Sequence, residues 1–156
     1  MKILVSNDDG VYADGLWALV RELQDIATVT VVAPDRDQSG VGTSVTLRHP
    51  LRMTETRSPL DGVTAYSVEG TPADSVILAL RLVVKDGVDL VVCGINEGPN
   101  LGDDAFISGT VGAALQGYFY GLPSMALSMA TFGSCHLNVA ARLAKILAVE
   151  IVNRNL

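Results

Sequence analysis

Short apolar runs alternate along the chain with stretches of helical periodicity. Four runs of strand length, rich in Val, Ile, Leu or Ala and bounded by turn residues, predict strands over 2–6, 28–33, 89–94 and 124–128. Because these runs are apolar without strict alternation, we expect the strands to be covered on both faces, as in a mostly parallel sheet.

Four helices are predicted between and after these strands. In the first, four apolar residues fall on one face, namely Leu16, Leu19, Val20 and Leu23. The second begins after Thr71, a typical N-cap, with Pro72 in the first helical position. The third covers about 109–120 and is rich in Gly and Ala, which favours close packing, and the last covers about 137–152.

Segment 41–68 has a different character, because Thr, Ser and Val dominate it. It predicts shorter strands, or a hairpin-like excursion, between the second main strand and the second helix. No internal repeat or low-complexity linker is visible, so we expect residues 1–156 to form a single domain. Strands that alternate with helices through short connections predict a doubly wound, mostly parallel α/β sheet.

Composition and charge narrow the classes of protein. Hydrophobic residues make up 49% and charged residues 18% of the chain, which excludes a disordered protein and suggests an additional buried interface. The formal net charge is −6 and no basic patch is present, which argues against binding to a nucleic-acid polymer. An acidic protein can still bind a phosphate ester when a cation bridges the two negative partners.

The cysteines and histidines form no recognisable site. Cys93 and Cys135 belong to no CxxC pair, and a structural role is the ordinary interpretation of both. His49 and His136 have no suitable partners at motif spacing and are predicted at the surface. The N-terminal apolar stretch is too short for a signal peptide and no run reaches membrane-spanning length, so a cytoplasmic protein without a membrane partner is expected.

Polar loops follow three of the predicted strands. These loops cover 7–10, 35–40 and 96–100. In an open α/β sheet, ligands bind beyond the carboxyl ends of the strands. We therefore expect side chains from the three loops to meet at one edge of the sheet.

The adjacent carboxylates Asp8 and Asp9 are the strongest candidates for chemistry. Taken alone, Asn-Asp-Asp-Gly is also typical of a tight turn. At the mouth of a buried strand, however, two neighbouring carboxylates repel each other unless a cation offsets their charge. With the neutral oxygens of Ser39 and Asn96 they would form a set of hard donors that suits Mg²⁺ or Mn²⁺.

Ser108, Gly109 and Thr110 stand at the start of the third predicted helix. The free backbone N–H groups of a first helical turn can hold a phosphate, although N-capping by Ser108 would produce the same residues. A second glycine-rich stretch, 40–45, partly matches the GxGxxG dinucleotide motif. It lacks the third glycine and opens no helical pattern, so we interpret it as a false positive, and an NAD-linked oxidoreductase has little support.

Five motifs follow one another over about the first 115 residues. They are SNDDG at 6–10, VVAPDRDQSG at 31–40, EGTPADSV at 69–76, GINEGPNLGDD at 94–104 and SGTVGAA at 108–114. Together and in this order they resemble the SurE family of stationary-phase survival proteins. Members of that family extend past the last helix predicted here, so we expect the chain to lack the family's C-terminal region.

The resemblance implies a Rossmann-like three-layer sandwich and a nucleotidase that releases phosphate from nucleoside 5′- and 3′-monophosphates. Activity on short polyphosphate is also implied, as is a homo-oligomer, either a dimer or a tetramer, in the cytoplasm. Family resemblance further implies one divalent cation, Mg²⁺ or Mn²⁺, on four residues, namely Asp8, Asp9, Ser39 and Asn96.

These interpretations combine into a hypothesis of metal-assisted phosphomonoester hydrolysis. The ion would activate a water and stabilise charge on the transferring phosphoryl group. Asn7 and the helix start at 108–110 would hold non-bridging phosphate oxygens. Asp8 or Asp9 could also act as general base. The alternative from another class is a nucleotide-binding regulatory module on the same fold without turnover.

Overall fold

Six strands form the sheet of this protein, whose computed structural model describes residues 1–131 and 136–154. The strands are β1 (Lys2–Ser6), β2 (Thr28–Pro34), β3 (Met53–Thr56), β4 (Thr64–Val68), β5 (Leu90–Asn96) and β6 (Ser124–Ser128). Their order across the sheet is β3-β4-β2-β1-β5-β6. Only β3 runs antiparallel to its neighbour, so the sheet is mostly parallel, as predicted.

Helices cover both faces of this sheet. They are α1 (Asp14–Leu23), α2 (Pro72–Leu78), the short α3 (Asp104–Ile107), α4 (Gly109–Phe119) and α5 (Leu137–Arg154). A π-helical turn, Ala79–Val83, prolongs α2. The core divides into two clusters, one under α1 and α5 and the other under α2 and α4. The result is the predicted three-layer α/β sandwich.

The local signals of the sequence correspond closely to the elements. Leu16, Leu19, Val20 and Leu23 are all fully buried on α1. Thr71 caps α2 through a reciprocal capping box, because its hydroxyl accepts from the N–H of Asp74 at 3.0 Å while the Asp74 carboxylate accepts from the N–H of Thr71 at 3.0 Å. The strands predicted over 2–6 and 124–128 have those bounds in the structure.

The main difference concerns segment 41–68. The predicted hairpin exists as β3 and β4, but β4 also pairs in parallel with β2 and so belongs to the main sheet. Residues 41–50, whose Val and Thr content predicted a strand, form an irregular loop instead. The buried Asp74 carboxylate accepts hydrogen bonds from both the N–H and the hydroxyl of Thr46, at 2.9 and 2.7 Å. Through these bonds the loop has hydrogen-bond partners although it pairs with no strand.

Several other residues lie where the sequence predicted them. Cys93 is fully buried on β5, and burial raises the pKa of its thiol far above the ordinary range, which suits a structural role. His49 and His136 are exposed. Cys135 lies outside the described residues. Among the helices of the described ranges, none has both the length and the apolar character needed to cross a membrane.

The order of the strands determines where a ligand can bind. After β1, the next three strands along the chain, β2, β3 and β4, all lie on one side of β1. The chain then returns to the other side of β1 as β5. Such a reversal leaves a crevice beyond the carboxyl ends of the two central strands. Asp8 and Asp9 directly follow β1, and Asn96 is the last residue of β5.

Candidate metal centre

The predicted donors meet in one pocket beyond the carboxyl ends of the sheet. The pocket has a volume of about 220 Å³. Its lining includes all four predicted ligands and the start of α4, namely Asp8, Asp9, Ser39, Asn96 and Ser108. Four oxygen-bearing residues from three separate loops therefore line one small volume.

Asp8 is held at the base of this pocket by the start of α4. Its side chain is 3% exposed and its Oδ1 accepts a short hydrogen bond from the hydroxyl of Thr110. The backbone of Thr110 also hydrogen-bonds to this carboxylate. A Cβ at Gly109 would lie only 2.7 Å from the Cβ of Asp8, so glycine is required for this approach. Burial raises the pKa of Asp8, against the opposing effect of the Thr110 bonds.

Asp9 lies beside Asp8 and is half-buried, in a strongly negative environment. Burial, as the largest cause, and the negative charges of Asp8, Asp37 and Glu97 together raise the pKa of Asp9 to about 7. Ionising this carboxylate is therefore costly unless a positive charge is present. The repulsion between neighbouring carboxylates, which the sequence suggested, is therefore present in the folded protein.

The two neutral donors are each oriented by a hydrogen bond. Both the hydroxyl and the backbone N–H of Ser39 donate to Oδ1 of Asp37, at 2.7 Å each. The side-chain amide of Asn96 donates through Nδ2 to the carbonyl of Gly98 at 2.9 Å, which leaves its Oδ1 as the atom able to bind an ion. Both side chains present oxygen lone pairs rather than hydrogens.

This donor set fits a hard divalent cation. Two carboxylates and two neutral oxygens from three loops match the oxygen ligands of Mg²⁺ or Mn²⁺ and leave positions for water and substrate. Within residues 1–131 and 136–154, no three His, Cys, Asp or Glu side chains converge as a metal-binding group. The four candidate donors are thus two carboxylates and two neutral oxygens, with no His or Cys among them.

Asn7 does not reach the pocket with its side chain. It is fully buried, and its Nδ2 donates to the carbonyl of Gly10 at 3.0 Å, which shapes the turn that carries Asp8 and Asp9. The side chain is absent from the pocket lining. Asn7 thus supports the loop from behind, and a side-chain contact with phosphate, which the sequence suggested, does not fit this placement.

The start of α4 has two roles that the sequence could not separate. The hydroxyl of Ser108 accepts from the N–H of Val111 at 3.2 Å, which is N-capping. Thr110 is fully buried and directs both its hydroxyl and a backbone bond to Asp8, so it supports the carboxylate rather than a phosphate. Of the four predicted phosphate-binding residues, Asn7, Ser108, Gly109 and Thr110, Ser108 is the one that lines the pocket.

Comparison with known proteins places the chain in a family. The profile of the family described as Survival protein SurE matches residues 3–156. The chain belongs to the SurE family. This confirms the resemblance carried by the five sequence motifs.

Individual members of the SurE family are closely similar. Over 129 residues the chain is 60% identical to 5′-nucleotidase SurE of Dehalococcoides mccartyi, an alignment that covers 83% of this chain and 49% of that protein. It is 50% identical over 151 residues to 5′-nucleotidase SurE of Vibrio cholerae, with 96% and 58% covered. The crystal structure of the SurE protein from Aquifex aeolicus superposes with a TM-score of 0.87 at 39% identity, covering 98% of this chain and 60% of that one. The chain therefore spans about half to three-fifths of the length of these relatives.

Two contacts of this SurE-family site were missed by sequence reasoning. Asp37, in the same loop as Ser39, was not singled out, and Thr110 was assigned to phosphate instead of Asp8. The spacing of Asp37 and Ser39 was a usable signal, because Asp commonly binds the backbone two residues further on. The Thr110–Asp8 contact joins residues 102 positions apart and has no local signal.

The raised pKa of Asp9 predicts how stability depends on pH in the metal-free SurE-family chain. Between about pH 4 and pH 7 the unfolded chain has lost this proton while the folded chain keeps it, because the ordinary pKa is 3.8 and the folded one about 7. The folded state then binds more protons, so Asp9 makes stability fall as pH rises through this window and level off above it. Urea unfolding in the presence of a chelator measures the effect.

Asp9→Asn is the control for this pH dependence, because it removes the titrating group and keeps the shape of the side chain. The difference in stability between variant and wild type is expected to grow from pH 4.5 to pH 7.5. Mg²⁺ added at pH 7.5 is expected to raise the urea midpoint of the wild type more than that of the variant. A pH-independent difference would contradict the described environment of Asp9.

Proposed function

We propose that this chain carries the active centre of a metal-dependent phosphomonoesterase that hydrolyses nucleoside 5′- and 3′-monophosphates to nucleoside and phosphate. The observation that carries the proposal is the convergence of Asp8, Asp9, Ser39 and Asn96 on one small pocket. The relatives named 5′-nucleotidase SurE support the same activity and the nucleotide as substrate. Short polyphosphate is a further substrate to be tested.

The four side chains would hold one Mg²⁺ or Mn²⁺ ion. When bound, such an ion lowers the pKa of a coordinated water and neutralises negative charge on a phosphoryl group. Asp8 is fixed by Thr110 and buried, so it serves as a rigid ligand. Asp9 is more exposed to the pocket and is the carboxylate better placed to accept a proton from the attacking water.

The remaining pocket residues would bind and orient the phosphate. Ser108 stands at the start of α4, where backbone N–H groups and the helix dipole favour an anion. The loop 98–104 contributes Gly98, Pro99 and Asn100 to the lining of the same pocket. A monophosphate held there would have its phosphoryl group beside the candidate metal ligands, where it can be oriented for attack by water.

Removal of the metal tests this function directly. Phosphate release from AMP and GMP is expected to fall at least about 100-fold when a chelator is added, and to return with Mg²⁺ or Mn²⁺. The same assay extends to 3′-monophosphates and polyphosphate.

Two outcomes of this assay would count against the proposal. Phosphate release that is unchanged by the chelator would exclude the metal centre. Nucleotide binding that persists in chelator without any phosphate release would indicate instead a regulatory module that binds nucleotide without turnover.

A homo-oligomer is also part of the proposal. Three apolar side chains on the outer face of α5, Val139, Leu143 and Ile146, are 67%, 54% and 61% exposed. Their spacing places them in one stripe, which is typical of a helix that packs against another surface. Light scattering after gel filtration would measure the number of subunits, and a monomer would exclude this part of the proposal.

A further inference from the structure

The loop that carries Ser39 is attached to the rest of the site at three points. The N–H of Gln38 donates to the carbonyl of Asp8 at 2.8 Å, which joins this loop to the loop of the two carboxylates. The N–H of Gly42 donates to the carbonyl of Ile107 at 2.8 Å, just before α4. Thr46 is held by Asp74 at the start of α2. The backbone around Ser39 is therefore fixed relative to Asp8.

The backbone alone does not fix the direction of the Ser39 hydroxyl. A serine hydroxyl has one hydrogen and two lone pairs, and it binds a cation only through a lone pair. The side chain is exposed at the pocket wall, where it could otherwise rotate or donate to water. A single oxygen of Asp37, Oδ1, accepts both the hydroxyl hydrogen and the backbone N–H of Ser39, each at 2.7 Å.

We propose that Asp37 is a positioning residue which, by accepting the hydroxyl hydrogen, holds Ser39 Oγ as a lone-pair donor to the metal ion. The inference rests on the metal site of the proposed function. Because the hydrogen points toward Asp37, the lone pairs of Oγ are free on the remaining sides, including the side of the pocket. An acceptor behind a metal ligand orients that ligand and increases the electron density on it.

Asp37 could instead matter only as one more negative charge near the ion. Two substitutions separate these roles. Asp37→Asn keeps an oxygen that can accept from Ser39 and removes the charge, whereas Asp37→Ala removes both. If the hydrogen bond is what matters, the Asn variant resembles the wild type and the Ala variant does not.

Binding of Mn²⁺ alone, followed by electron paramagnetic resonance, tests the inference without relying on turnover. Asp37→Ala is expected to weaken Mn²⁺ binding by about 10-fold, in the range measured for partners that orient metal ligands, while Asp37→Asn stays within about 3-fold of wild type. In a Ser39→Ala background, Asp37→Ala is expected to add less than about 2-fold, because the group it orients is already gone.

Asp103→Ala is the matched control, since it changes the net charge equally at an exposed carboxylate on a neighbouring loop. Equal losses in Asp37→Asn and Asp37→Ala, or additive losses with Ser39→Ala, would overturn the inference. Wild-type chain that binds no Mn²⁺ would overturn it together with the metal site. Wild-type chain that binds Mn²⁺ but releases no phosphate would contradict only the proposed hydrolysis.

Discussion

Asp9→Asn is expected to lower the rate of metal-dependent phosphate release by about 100-fold or more, since even partners behind a metal ligand are worth 10–100-fold. The substitution keeps the size of the side chain and removes one of the two carboxylate charges in the predicted donor set. The fold is expected to remain intact, because Asp9 makes no core contact and its ionised form is costly in the metal-free site. Steady-state phosphate release at saturating Mg²⁺, with circular dichroism of both proteins, measures the two effects.

Asp104→Asn provides the matched control for this experiment. Asp104 lines the same pocket and loses the same charge in the variant, but it is exposed to water. We expect its phosphate release to stay within about 3-fold of wild type, because exposed charges are well screened. Full activity of Asp9→Asn with Mg²⁺ would exclude the proposed metal centre.

Gly112→Ala is expected to destabilise the fold and to reduce phosphate release, although alanine normally favours a helix. Replacing glycine by alanine inside a helix is worth up to about 1 kcal/mol of stabilisation. A Cβ at Gly112 would lie 2.7 Å from the carbonyl carbon of Gly42 and 3.0 Å from the backbone nitrogen of Thr43. Backbone atoms cannot rotate away, and overpacking of this kind costs about 1–3 kcal/mol. The overpacking cost is expected to exceed the gain in helix propensity.

Urea unfolding and phosphate release together measure the effect of Gly112→Ala. The loss of activity is expected because the displaced loop carries Ser39. Tyr118→Ala is a suitable comparison, since it places alanine on the same helix at a side chain that is 68% exposed. Stability equal to or above wild type for Gly112→Ala would show that the loop does not rest on α4 as described.

Helix α4 supports two parts of the proposed metal centre at once. At its first turn, Gly109 and Thr110 receive the carboxylate of Asp8. One turn further on, Gly112 receives the loop that leads from Ser39. The small residues of this helix were predicted to pack on the sheet, and Gly117 does lie against Val91. The first two glycines instead bring the helix close to the site.

Much of the architecture was determined by local features of the sequence. Apolar runs predicted the four main strands because strands covered on both faces need apolar residues at every position. Thr71 and Pro72 located the start of α2, because capping depends on only a few neighbouring residues. Once those strands are parallel, their carboxyl ends share one edge, and the convergence of the loops that carry Asp8, Ser39 and Asn96 could be predicted as well.

Other features were decided only by the tertiary structure. Residues 41–50 have the composition of a strand, but hydrogen bonds to the distant Asp74 hold them as a loop. The sequence around Thr110 is typical of an anion-binding helix start, yet the Thr110 hydroxyl donates to Asp8, 102 positions away in the sequence. Local sequence sets propensities and periodicity, whereas the partner of a buried polar group depends on which segments the fold brings together. The sequence by itself therefore identified the loops that carry the candidate metal ligands, and the packing of α4 decided how Asp8 is held.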